Sequence, residues 1–351
     1  MLCPCYHRGI RGMIAQPMRM LLTKVAPLEN YELALRDKSI LLVPLLLVLL
    51  ISAALVIGRL NTQVPPTRSP RTLGTNPIDV LDLGGIERLY RVHEPARHIA
   101  KQALPVIIAL HGEGQLSADM EQLTALQFDS LGDAEGFITV YPEAIGGVWS
   151  VAHKDLAFIR ELITQLETTY TIDRQRVYLV GFSNGGVLAY HAACALGDYI
   201  AAVAVVAAPM ARDTRDHCSP QQPMPVLMMF GTDDPLLPIA GGETELGLLL
   251  SAEETATFWQ AHNRCDNFPL VVGDINHDVS DETSVRQERY HPCDDKSEVL
   301  LYTVIGGGHT WPGGAAPALQ ENAGRITQDI NAVDELWAFF RRHTLVETKQ
   351  P

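Results

Sequence analysis

Three short segments carry residues whose types and spacing could do nucleophilic chemistry. The first is Val177-Tyr178-Leu179-Val180-Gly181-Phe182-Ser183-Asn184-Gly185-Gly186, a G-x-S-x-G pattern directly between a β-rich run and a helical pattern. A turn that sharp pushes a serine side chain out at the top of a sheet, and flanking glycines are needed because a Cβ would strike neighbouring backbone. Alone the pattern also fits a glycine-rich turn with an idle serine; its place between strand and helix gives it weight. The second segment, Leu227–Phe230, runs into Gly231-Thr232-Asp233-Asp234-Pro235, so an acid follows a strand end. The third, Leu300–Val304, runs into Ile305-Gly306-Gly307-Gly308-His309-Thr310-Trp311-Pro312, placing a histidine on a glycine-rich loop.

Separately, each is weak. An Asp-Pro turn is more often solvated than catalytic, and a lone loop histidine is more often inert. Together, the order Ser183, Asp234, His309 is the chain order of an α/β-hydrolase triad. Each follows an expected strand, where ligands sit in open α/β sheets. A serine hydroxyl is a poor nucleophile at neutral pH, so His309 must take its proton, and Asp234 would fix the histidine tautomer and stabilise the imidazolium. A fourth segment, Val106–Leu110 followed by His111-Gly112-Glu113-Gly114-Gln115, can bring a backbone N–H beside the serine. The N–H groups of Glu113 and Asn184 are the expected oxyanion hole. His111 reads as a loop-bracing residue.

The elements that must position these residues alternate. Continuous hydrophobic runs at Leu89–His93, Val106–Leu110, Ile138–Tyr141, Val177–Val180, Ala202–Val206, Val226–Phe230 and Val299–Val304 read as strands buried on both faces. Between them lie helical patterns at Asp119–Leu131, Asp155–Tyr170, Gly186–Leu196, Ala252–His262 and Ile330–Arg342. That alternation predicts an α/β fold, a mostly parallel sheet flanked by helices. The acidic, polar stretch Asp274–Lys296, with His277, Asp278 and His291, reads as a solvated loop or β-hairpin rather than a metal site, and in the last helical pattern Val333, Leu336, Trp337 and Phe340 form a packing face.

Ahead of this region the chain changes character. Of its 351 residues, the first 38 hold six Lys/Arg against three acids, while the whole chain carries a net charge of −14. That acidic balance excludes a nucleic-acid binder relying on overall positive charge. Ile40–Ile57 carries no charge, and 18 such residues approach the ~20 needed to cross a bilayer. Basic residues precede the run, so the remainder should be translocated. The expected organisation is a cytoplasmic basic segment over 1–39, a transmembrane signal anchor or signal-peptide core over 40–57, a Pro- and Thr-rich linker over 58–77 and a catalytic domain over 78–345. The product would lie outside the cytoplasmic membrane, periplasmic or extracellular, anchored if the segment is uncleaved. Cys194, Cys218, Cys265 and Cys293 fall in the exported part; sequence order suggests Cys194–Cys218 and Cys265–Cys293, though three pairings are open. No P-loop, dinucleotide fingerprint or H-E-x-x-H occurs, so no cofactor is implied.

The sequence resembles the polyhydroxybutyrate depolymerase and feruloyl esterase group of α/β-hydrolases across roughly residues 78–343. The motifs that carry this are LHGEGQ (Leu110–Gln115), IDRQRVYLVGFSNGG (Ile172–Gly186), PVLMMFGTDDPLLP (Pro225–Pro238) and GGGHTWPGG (Gly306–Gly314). The resemblance implies the α/β-hydrolase fold, Ser183 as nucleophile, Asp234 as triad acid, His309 as base, and disulfides near the four cysteines. It implies a serine esterase acting on small or oligomeric carboxylic esters: short-chain, hydroxyalkanoate or aryl and feruloyl types. Trp149 and Trp311 are the expected aromatic walls of the substrate cleft. Two departures stand out. Glu113 occupies a position where the family often has Cys or Gly, and Lys154 takes the place of the first of two acids that often open the following helix. A peptidase on the same fold, or a non-catalytic binding protein using the cleft, are the competing expectations.

Overall fold

The computed structural model describes residues 76–96, 102–150, 154–316 and 322–345, all within the unit Pro70–Pro351. The apolar run Ile40–Ile57 and nearly all of the linker lie outside the described residues. Among the described residues no helix is long and apolar enough to cross a membrane.

Among the described residues, twelve strands alternate with helices. The strands are β1 (Ile78–Asp82), β2 (Glu87–His93), β3 (Leu104–Leu110), β4 (Ile138–Pro142), β5 (Ile172–Phe182), β6 (Ala202–Val206), β7 (Val226–Gly231), β8 (Gly242–Thr244), β9 (Gly247–Leu249), β10 (Leu270–Ile275), β11 (Ser284–Tyr290) and β12 (Val299–Ile305). The α-helices are α1 (Ser117–Leu123), α2 (Gln127–Glu135), α3 (Lys154–Thr169), α4 (Asn184–Ala195), α5 (Arg212–His217), α6 (Ala252–His262) and α7 (Ala332–Phe340). Ten strands form one sheet in the order β1-β2-β4-β3-β5-β6-β7-β12-β11-β10. Its centre, β4-β3-β5-β6-β7-β12, is parallel throughout, and both margins are antiparallel.

The hydrophobic runs are continuous because both faces of the central strands are covered. In β3, Val106, Ile108 and Leu110 point into one core with Phe158 and Leu162 of α3, Leu188 of α4 and Trp259 of α6. The alternate residues Ile107 and Ala109 point into a second core with Met120 of α1, Phe128 of α2 and Leu336 and Phe340 of α7. This period-two split sends successive side chains of one strand into different layers.

The seven strands expected from hydrophobic runs all form, and the stretch 274–296 forms most of an antiparallel hairpin that extends the sheet beyond β12. One helical expectation needs correction. Asp119–Leu131 is two helices, α1 and α2, broken where Ala125 and Leu126 take φ of 50° and 58°. The reason is tertiary: Ala315 N–H donates to Leu123 O (2.9 Å), and Gln127 Nε2 donates to Gly313 O (2.8 Å). The segment after Trp311 thus takes the backbone carbonyl that would have continued the helix. The final helix is shorter than its hydrophobic pattern because Asn331 caps it, its side chain accepting from the Val333 N–H at 2.9 Å.

Candidate active site

Ser183 sits between β5 and α4 with φ 54° and ψ −122°, a region that costs any non-glycine residue steric strain. The surroundings enforce this. A Cβ on Gly181 would lie 2.2 Å from Gly185 O, and one on Gly185 would lie 2.5 Å from His111 O. Both glycines are therefore needed for β5 to turn directly into α4 while passing the end of β3. Ser183 N–H donates to Val206 O (3.0 Å), pinning the turn to β6. Asn184, the first residue of α4, has a backbone N–H without an intrahelical acceptor.

Asp234 and His309 come together from the ends of β7 and β12. His309 Nδ1 donates to Asp234 Oδ2 at 2.7 Å, and both side chains are buried. The other carboxylate oxygen, Oδ1, accepts the N–H groups of Leu236 and Leu237, each at 2.8 Å. Three donors therefore converge on Asp234. Asp233, by contrast, is exposed and faces Arg325 at 3.7 Å. The histidine loop is tied down by backbone: His309 N–H donates to Ala323 O and Gly308 N–H to Arg325 O. A Cβ on Gly308 would lie 2.0 Å from Ala323 O, which accounts for glycine there.

His309 Nε2 has no hydrogen-bond partner among the described residues, and Ser183 Oγ makes no hydrogen bond to it. The structure thus joins Asp234 to His309 and shows no hydrogen bond between Ser183 and His309.

Glu113 and Ser183 line one cleft of about 550 Å³. Its other walls come from Pro235–Pro238 and from the β8–β9 hairpin, which pattern reading did not find. The signal available for that hairpin was the glycines at 241, 242 and 247. The loop carrying Glu113 is fixed on either side by Gly112 N–H to Gln115 Oε1 (2.8 Å) and Gly114 N–H to Gly147 O (2.8 Å). His111 is fully buried. Its Nδ1 donates to Gly112 O (2.7 Å) and its Nε2 accepts the Ala144 N–H (3.1 Å), the pattern of a neutral ring bracing two loops.

The two tryptophans correct the expectation placed on them. Trp311 is fully buried against Phe128 and Phe182, and Trp149 is only 3% exposed. Neither lines the cleft with Ser183. Trp149 braces the site instead: its Nε1 donates to His111 O (2.8 Å) and its backbone N–H to Asn184 Oδ1 (2.7 Å). Both are bulky aromatic residues close in sequence to a motif, and hydrophobic burial claimed them.

Lys154 opens α3, and the acid that follows it is structural. Asp155 pairs with the buried Arg88 at 2.8 Å and accepts the Ser150 N–H, while Arg88 stacks over Phe158. Burial lowers the Arg88 pKa, and the Asp155 charge and hydrogen bond oppose that shift. Disulfides join Cys194 to Cys218 and Cys265 to Cys293, the pairing suggested by sequence order.

Residues 151–267, which span the serine turn and Asp234, match the family described as Phospholipase/Carboxylesterase. The esterase-designated protein NocK of Nocardia uniformis subsp. tsuyamanensis is 28% identical over 77% of this chain and 84% of its own length. Feruloyl esterase B of Piromyces equi is 27% identical over 61% of this chain, and the bifunctional acetylxylan esterase/xylanase XynS20E of Neocallimastix patriciarum 35% identical over 38% of it. The matched regions span only 41% and 20% of those two proteins. Among solved structures, the acetyl xylan esterase of Aspergillus awamori overlays with a TM-score of 0.48 at 14% identity, over 72% of this chain and 94% of that one. The chain has the α/β-hydrolase fold, resembles carboxylesterases over the matched region, and is an enzyme that acts on carboxylic esters.

Proposed function

We propose that the chain is an exported serine esterase using Ser183, His309 and Asp234. The observation that carries this reading is the buried 2.7 Å contact between His309 and Asp234 near a serine held at positive φ beside an open cleft. In this reading Ser183 Oγ attacks the ester carbonyl while His309 Nε2 takes its proton. The N–H groups of Glu113 and Asn184 receive the oxyanion. Collapse breaks the bond to the alcohol oxygen, which leaves with the proton from His309. Water then repeats the sequence on the acyl-enzyme: His309 takes a proton from it, and the carboxylic acid departs as Ser183 recovers its own. Asp234, fixed by three donors, stabilises the imidazolium that forms twice per cycle.

Two disulfides support an oxidising compartment. The apolar run Ile40–Ile57, with basic residues before it, supports delivery across a membrane as an anchor or cleaved signal. The substrates proposed are small or oligomeric esters of short-chain, hydroxyalkanoate or aryl and feruloyl type.

The test is fluorophosphonate labelling of the full chain with its disulfides intact, followed by peptide mapping. Modification at Ser183, lost in Ser183→Ala together with hydrolysis of p-nitrophenyl acetate, is the expected result. Full residual hydrolysis in Ser183→Ala would overturn the assignment. Absence of labelling would favour a non-catalytic binding role, and cleavage of aminoacyl amides a peptidase.

A further inference from the structure

The cleft beside Ser183 has a charge pattern that the reaction itself does not require. Three carboxylates line it: Glu113 from the loop after β3, and Glu243 and Glu245 from the β8–β9 hairpin. All three are exposed, and no Lys, Arg or His is among the described residues lining the cleft. The remaining walls are largely apolar, with Leu236, Leu237 and Leu246 among them.

The hairpin is built to hold its acids there. Leu249 and Leu250 are buried, Leu249 bridges to Ala211, and Leu250 N–H donates to Met210 O (2.9 Å). At the tip, Thr244 Oγ1 donates to Gly247 O (2.9 Å), closing the turn that carries Glu245. The base is thus anchored in the core while the acidic residues face solvent at the cleft.

A second observation points to a ligand at this spot. Ser183 is 5% exposed, lines the same cleft and has no side-chain hydrogen bond among the described residues. His309 Nε2 is likewise buried without a hydrogen-bond partner among the described residues. The cleft therefore presents a nearly buried hydroxyl within an acidic rim.

We infer that this rim selects esters by charge: substrates carrying a cationic group are favoured, neutral esters follow, and esters carrying a second, free carboxylate are rejected. This rests on the esterase reading and deepens it. Clustered charges of one sign at a cleft with apolar walls raise the local concentration of the opposite charge and repel like charge. The effect is screened by salt, because exposed charges several ångströms from the substrate act across solvent. It divides the substrate classes. A hydroxyalkanoate oligomer with a free acid terminus enters against three carboxylates, whereas aryl or feruloyl esters of neutral alcohols do not. It also expels the carboxylate product, which is anionic whatever the substrate.

The experiment compares kcat/KM of the full chain on three esters with one leaving group: p-nitrophenyl butyrate, p-nitrophenyl 4-(trimethylammonio)butyrate and mono-p-nitrophenyl adipate. The expected order is cation, neutral, anion. The cation-to-anion ratio should be about tenfold or more at ~20 mM ionic strength and shrink to under about threefold at ~0.5 M. In Glu243→Gln/Glu245→Gln the low-salt ratio should fall by about fivefold, and in Glu245→Lys it should fall as well. Because each ratio is read within one protein, partial loss of folded enzyme leaves it intact. A low-salt ratio near one, or a ratio unchanged in the hairpin variants, overturns the inference while hydrolysis of p-nitrophenyl butyrate leaves the esterase reading standing. Failure to hydrolyse any of the three overturns both.

Discussion

Asp234 meets His309 through one oxygen and two backbone N–H groups through the other, so both sides of the carboxylate are occupied. It cannot rotate away from the imidazole without leaving the N–H groups of Leu236 and Leu237 unpaired in a buried site.

Asp234→Asn replaces that acceptor set with an amide that offers N–H as well as C=O. The histidine is then held in the wrong tautomer or not held at all. Turnover of p-nitrophenyl acetate should fall by about 10⁴-fold, as expected when a triad acid becomes its amide. Asp233→Asn, one residue away but exposed, should stay within about twofold. Equal losses in steady-state kinetics would show that the wrong acid has been chosen.

The sheet was legible because β3, β5, β6, β7 and β12 are buried on both faces, and such strands read as uninterrupted apolar runs. The order Ser183, Asp234, His309 was legible because each follows one of those runs. What patterning missed depends on contacts distant in sequence. The break between α1 and α2 is made by Ala315 and Gly313, some 190 residues away. The edge strand β1 alternates exposed and half-buried residues, and the short strands β8 and β9 bury only Leu249, so neither shows a continuous run. Trp149 and Trp311 were misplaced because composition cannot say which way a ring points; packing against His111 and Phe182 decides that.

Trp149→Phe tests the bracing role assigned to that ring. The substitution keeps most of the buried apolar surface but removes the Nε1 donor to His111 O, leaving a buried carbonyl short of a partner. Stability should drop by about 1–3 kcal/mol in urea unfolding. Relative rates on p-nitrophenyl acetate, butyrate and hexanoate should be unchanged, since the ring does not line the cleft. An altered chain-length preference would return Trp149 to the substrate site.

The disulfide Cys194–Cys218 links the end of α4 to the segment after α5, with 24 residues of separation. Closing a loop of that length removes about 3 kcal/mol of chain entropy from the unfolded state. The double variant Cys194→Ala/Cys218→Ala should therefore melt roughly 5–10 °C lower in calorimetry. Its kcat should stay near the wild-type value at temperatures where it is folded, because neither cysteine touches the site. A Tm unchanged within a degree would show that the bridge contributes nothing to stability.

Away from the site, Glu298 anchors the C-terminal turn after α7. Its side chain is 2% exposed, and its oxygens meet Arg342 Nε (3.0 Å), His343 Nε2 (3.0 Å) and Arg289 Nε (2.7 Å). Burial alone would raise the pKa of this carboxyl. The hydrogen bonds from His343 and Arg342 and the charges of Arg342 and Arg289 outweigh it and hold the group down at about 2, against an ordinary 4.5. A carboxylate whose folded pKa is depressed stabilises the fold above its unfolded value and loses that stabilisation as pH falls through the folded value. The contribution is therefore full above about pH 4.5 and gone near pH 2, with a magnitude on the order of 3 kcal/mol. Glu298→Gln should unfold more easily than wild type at pH 6, and the gap should close steadily as the pH is lowered from 4.5 toward 2. Chemical denaturation of both proteins across that range measures the gap directly. A difference independent of pH would mean that Glu298 acts through packing rather than through its charge.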